Sequence, residues 1–181
     1  NSALNNSIQK SGPVHLNVPM EEPLYGMTIS PLDLKHKEIP VISEPKVDLK
    51  KFKKTWQEAE KKLILVGVNA PEMINKQWLD LIDDDPSVVI MTETTSNLHL
   101  HNSINSIDSL IAPLEKKGGE FFKILQPQIL LTFGGMVVSK KIKKLLRDFS
   151  PHEHWHVDPY KAYDTYYCLN QHFTIQVNTF F

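Results

Sequence analysis

Ser139-Lys140-Lys141 follows the apolar run Ile129-Leu130-Leu131-Thr132-Phe133 and the pair Gly134-Gly135. A strand, a glycine turn and a helix start, in that order, bring backbone N–H groups and ammonium groups to one point, which is chemistry for an anion such as a carboxylate. On stability grounds the lysines are misplaced, since cations oppose the macrodipole at a helix N-terminus. Lys140 and Lys141 are therefore the candidate anion-facing residues, with Ser139 as the N-cap. A plainer account competes with this one. Lys140, Lys141, Lys143 and Lys144 also fit the solvated face of an amphipathic helix that buries Ile142, Leu145, Leu146 and Phe149.

Other reactive side chains carry less. His152, His154 and His156 fall two apart and would share one face of a strand, but no carboxylate or thiolate accompanies them, so hydrogen-bonded histidines are expected rather than a metal site. His99 and His101 are weaker still. Glu93 ends an apolar run and could act as a base, yet no partner is identifiable by spacing, and capping explains it as well. Cys168 sits among tyrosines without a basic neighbour, and no nucleophile elbow is present. Val66-Gly67-Val68-Asn69-Ala70-Pro71 has one glycine where a dinucleotide fingerprint needs three, and Gly134-Gly135 lacks the spacing of a P-loop. No catalytic, cofactor-binding or metal-binding residue is assigned.

These residues need a scaffold. Lys62 to Val68 reads as a strand buried on both faces and Ile129 to Phe133 as a buried strand, while Ser87 to Thr92 and His154 to Pro159, ending in Asp-Pro, read as further strands. His172 to Val177 alternates and reads as one more, with no helix after it. Helices are expected from Asp48 to about Glu60, from Pro71 to Asp83, from Ile104 to Leu114, from Glu115 to Leu125, and after Ser139. Pro113 and Gly118-Gly119 should break or relax the middle pair. The alternation predicts an α/β fold, a doubly wound parallel sheet of about five to six strands. Asn69, the Thr94 to Asn97 loop, Gly134 to Lys141 and Asp158-Pro159 should then gather at the edge formed by the strand C-termini.

The 181 residues suit one domain with a real core, and 20 basic against 21 acidic residues leave a net charge of −1 that suggests neither nucleic acid nor an anionic membrane as partner. No apolar run reaches the ~20 residues of a membrane span. One cysteine fits a reducing compartment, and a cytoplasmic protein is expected. The chain does not begin with methionine, and residues 1–11 are polar, which suggests a piece of a longer protein. Val14 to Val18 alternates as a short strand. Prolines at 19, 23, 31, 40 and 45 favour an extended linker over helix or paired strand.

Gly12-Pro13-Val14-His15-Leu16-Asn17-Val18-Pro19-Met20-Glu21-Glu22-Pro23-Leu24-Tyr25 resembles the strand that closes the first catalytic domain of thiamine-diphosphate-dependent enzymes. Thr132-Phe133-Gly134-Gly135 with Ser139-Lys140-Lys141 is similar to one branch, the menaquinone-biosynthesis synthase that makes succinyl-enolpyruvyl-hydroxycyclohexene-carboxylate. His156-Val157-Asp158-Pro159 resembles its later Val-Asp-Pro strand end. The resemblance covers essentially the whole chain. It implies residues 1–25 as the end of the preceding pyrimidine-binding domain, 26–47 as a Pro-rich linker, and 48–181 as a central, dinucleotide-binding-like domain that holds no flavin.

The resemblance further implies an enzyme that decarboxylates 2-oxoglutarate on thiamine diphosphate with Mg2+ and adds the succinyl carbanion to isochorismate, working as a homodimer or homotetramer. The family's Lys-Arg pair, which helps hold a substrate carboxylate, falls on Lys140 and Lys141. Lysine for arginine at Lys141 keeps the charge but loses the bidentate fork. No Gly-Asp-Gly motif for magnesium diphosphate is present, so the chain alone should neither bind that cofactor nor turn over. Two other readings stand beside this one: another thiamine-diphosphate branch, such as an acetohydroxyacid synthase or 2-oxoacid decarboxylase, and a non-catalytic carboxylate-binding regulatory domain.

Overall fold

Apolar runs with no polar face can be buried only between two layers, and here they form one sheet: β1 (Lys62–Val66), β2 (Val88–Met91), β3 (Ile129–Phe133), β4 (Glu153–Val157) and β5 (Gln171–Phe173). The computed structural model describes residues 2–10, 12–21, 26, 45 and 47–181. All four strand pairings are parallel, in the order β2-β1-β3-β4-β5, with Lys62 opposite both Val88 and Ile129. Alternate residues of each strand face opposite cores. Ile64, Val66, Leu131, Phe133 and Trp155 pack under α2 (Lys50–Glu58), α3 (Lys76–Asp83) and α7 (Val177–Phe180). Leu63, Leu65 and Leu130 pack under α4 (Ile107–Glu115), α5 (Gly119–Leu125) and α6 (Lys140–Asp148). This is the doubly wound α/β arrangement, with its order reversing between β1 and β3.

The chain divides into two compact units, residues 1–43 and 44–181. In the first, Ser2–Gln9 forms a helix, α1, that buries nothing. The strand expected over Val14 to Val18 is not formed: Leu16 and Val18 are 71% and 68% exposed, and alternation alone cannot supply the neighbour whose backbone a strand must pair with. Most of the Pro-rich linker expected over 26–47 lies outside the described residues.

Within the second unit several boundaries differ from expectation: β1 ends at Val66, and α4 and α5 begin at Ile107 and Gly119. Pro71 does not start α3, because Glu72 takes a left-handed backbone (φ 56°) and ends any helix there; Asn75 is the residue preceding the helix. Pro113 lies inside α4 without ending it. The strand expected to run to Val177 stops at Phe173. Ile175 and Val177 are still buried in the same core, so the alternation reports core-facing side chains rather than a ladder, and α7 follows. Asn178 on α7 then pins the turn before α3, accepting from the Asn75 N–H (2.9 Å) and donating to the Met73 carbonyl (3.0 Å).

Candidate functional site

All strands being parallel, their C-terminal ends form one rim. The turns after β1 and β3, at the point where strand order reverses, are stitched to each other. The Gly67 N–H donates to the Phe133 carbonyl (2.9 Å) and the Gly135 N–H to the Val68 carbonyl (2.7 Å). A Cβ on Gly67 would lie 1.8 Å from the Gly135 oxygen, so only glycine permits this approach. Next to them the turn Thr94–Ser96 after β2 ties into the β1 turn. Asn69 N–H donates to Thr95 carbonyl (3.1 Å), Asn97 Nδ2 to Asn69 carbonyl (2.7 Å) and the buried Ser96 hydroxyl to Val66 carbonyl (2.8 Å). Asn97 closes that turn in the left-handed region, as asparagine tolerates. Asp158 lies on the same rim but turns toward β5, its N–H donating to the Phe173 carbonyl (3.1 Å) and its carboxylate accepting from the Tyr160 and Lys161 N–H groups.

At the start of α6 the N-cap is Ser139, whose hydroxyl oxygen accepts from the Ile142 N–H (3.2 Å) while its O–H donates to the Asp108 carboxylate on α4. The N–H groups just ahead of the helix are already taken. Glu93 accepts from Val138 N–H and Ser139 N–H, each at 2.7 Å. The first turn is neutralised too, since Lys141 donates to Glu115 on α4 at 2.6 Å. Lys140 is exposed and has no ion pair among the described residues. Two cations at a helix start, unfavourable alone, are thus offset by three carboxylates from the neighbouring elements.

Spacing could not reveal these three partners. Glu93 leaves β2, and β1 lies between β2 and β3, so its meeting with α6 depends on strand order. The one local signal was type: a glutamate at a strand end facing a helix start that has orphan N–H donors.

Of the three histidines two apart, His152 is exposed and precedes β4, while His154 and His156 point into the α6 side of the sheet. The Thr132 hydroxyl bridges them, 2.9 Å from His154 Nε2 and 2.8 Å from His156 Nδ1. Burial, then the neighbouring His156, lowers the pKa of His154 to about 4, and burial lowers that of His156 as well. Both imidazoles are neutral near pH 7. Among the described residues no group of three or more His, Cys, Asp or Glu is placed to hold a metal ion. Burial, then Asp164, pushes the Cys168 thiol up to about 11, which leaves it a poor nucleophile at neutral pH.

Thiamine diphosphate with Mg2+, the cofactor that the resemblance implies, does not fit the strand-reversal point as the described residues form it. The crevice at the strand reversal, where such sheets take phosphates, is closed by the two backbone bonds between the β1 and β3 turns. The helix start beside it is filled by Glu93.

No protein-family model matches the chain. Three bacterial proteins are similar to it along nearly its full length, and each is named 2-succinyl-5-enolpyruvyl-6-hydroxy-3-cyclohexene-1-carboxylate synthase. The one from Christiangramia forsetii is 48% identical over 94% of this chain, that from Flavobacterium johnsoniae 44% over 100%, and that from Flavobacterium psychrophilum 44% over 99%. The chain covers 30%, 33% and 32% of those proteins, so it spans about a third of the length of the curated relatives it matches. The chain belongs, as a segment about a third as long as its members, to the 2-succinyl-5-enolpyruvyl-6-hydroxy-3-cyclohexene-1-carboxylate synthase family.

Proposed function

We propose that this chain is the central domain of a menaquinone-biosynthesis enzyme that joins the succinyl unit of decarboxylated 2-oxoglutarate to isochorismate. Thiamine diphosphate, supplied with Mg2+ by other parts of the polypeptide, stabilises the negative charge that decarboxylation leaves. The share of this chain is to present Lys140 at the rim, where its ammonium group meets a substrate carboxylate. Lys141, paired with Glu115, adds positive potential behind it and makes the weaker contact.

The observation that carries this reading is the contrast between the two lysines: Lys141 is matched by a carboxylate, and Lys140 stands exposed at the rim without one among the described residues. Around it, Met136 and Val138 are 75% and 65% exposed, and Val68 on the neighbouring turn is 44% exposed. Apolar side chains offered to water beside an unmatched cation suit a surface that the remaining two thirds of the enzyme would cover.

In the full-length enzyme, Lys140→Ala should raise KM for isochorismate about tenfold with a smaller change in kcat, the pattern of a lost binding contact. Lys140→Arg should recover most of the loss, and Lys141→Ala should cost less than Lys140→Ala. An unchanged KM in Lys140→Ala would remove the role from this residue.

A further inference from the structure

We propose that Glu93 is a positioning residue for the rim: its carboxylate holds the 134–139 turn and so sets where Lys140 stands. This rests on the reading of Lys140 given above. Glu93 reaches across from the turn after β2, and each of its two oxygens takes one N–H, Oε2 that of Val138 and Oε1 that of Ser139. These donors lie at the helix start, where no carbonyl within the helix can satisfy them.

Glu93 is itself anchored. Its own N–H donates to the Ser96 hydroxyl (2.9 Å), which donates to the Val66 carbonyl at the end of β1 and is fully buried. A continuous set of bonds therefore runs from the interior strand β1 through Ser96 and Glu93 to the residue before Lys140. The turn's other restraints lie at its two ends, where the Gly135 N–H bonds the Val68 carbonyl and the Ser139 hydroxyl bonds Asp108. Between them Met136 and Val138 are exposed and Val137 alone is buried in the core. Glu93 also fills the place an outside anion would take at the α6 N-terminus, so a substrate carboxylate meets the Lys140 ammonium and not the helix N–H groups.

The test is Glu93→Gln, which keeps the size of the side chain but turns an amide NH2 toward one of the two N–H donors. On the 181-residue chain, hydrogen exchange at Val138 and Ser139 should speed up about tenfold or more while β1 and β3 amides keep their protection. In the full-length enzyme, KM for isochorismate should rise about fivefold with kcat within about twofold, and Glu93→Gln with Lys140→Ala should be no worse than Lys140→Ala alone. Glu93→Asp, which retains both oxygens, should recover part of the loss. Unchanged exchange at Val138 and Ser139, or additive losses in the double variant, overturns the proposal. Should Glu93→Gln lower protection in β1 and β3 as well, Ser96→Ala replaces it, with the same coupling to Lys140 required. If Lys140→Ala alone leaves KM unchanged, the function proposed above fails, and the exchange rates decide separately whether Glu93 holds the turn.

Discussion

His154 shows what a buried ionisable group contributes when its ring is hydrogen-bonded to a threonine. It is 1% exposed, and its Nδ1 has no hydrogen-bond partner among the described residues. An imidazole in that position pays for a charge with lost solvation, so the folded chain keeps it neutral down to about pH 4 while the unfolded chain protonates near 6.5. The unfolded state therefore binds the proton first as the pH falls. Stability from this residue is complete above pH 6.5 and drains away between 6.5 and 4, a total of about 3 kcal/mol from the linkage relation. His156 acts in the same direction. Urea titrations across that range should show the decline, and His154→Leu should flatten it; an equal slope in the variant would mean that other groups are responsible.

At the level of elements, the turns after β1 and β3 decide what the sheet can hold. Gly67→Ala would drive a methyl group into the Gly135 carbonyl, and backbone on both sides leaves nothing flexible to yield. The loss should be about 3 kcal/mol, the upper end of overpacking, read as a lower urea midpoint. A loss under half of that would mean the two turns can part. The sheet and most helices were legible because each rests on a local pattern: Ile129 to Phe133 is apolar throughout, and Ser139 caps α6 as its type suggests. What could not be read depended on distant chain. Val14, Leu16 and Val18 alternate as a strand would but pair with no strand among the described residues, and the run from Phe173 to Val177 alternates because its side chains enter one core. At the candidate site, both lysines and the N-cap were visible, whereas Glu93, Asp108 and Glu115 lie between 26 and 46 residues from the groups they meet.

For the whole molecule, the crevice closed by backbone bonds and the helix start filled by Glu93 leave no room for a diphosphate at the strand reversal, among the described residues. Calorimetric titration of the 181-residue chain with thiamine diphosphate and Mg2+ should give no binding heat, whereas tight, magnesium-dependent binding would contradict the division of labour proposed here. Among the described residues no helix is long and apolar enough to cross a membrane.

The strand order also governs how this unit can be made. β1, early in the chain, is flanked by β2 and by β3, and Lys62 cannot find Ile129 until that later strand has been synthesised. On a ribosome, β1 paired with β2 would wait with one side open while nearly forty more residues are added, as the positions 91 and 129 show. Parallel ladders joined across such spans close slowly, and the waiting edge is a place where nascent chains stick to one another or recruit chaperones.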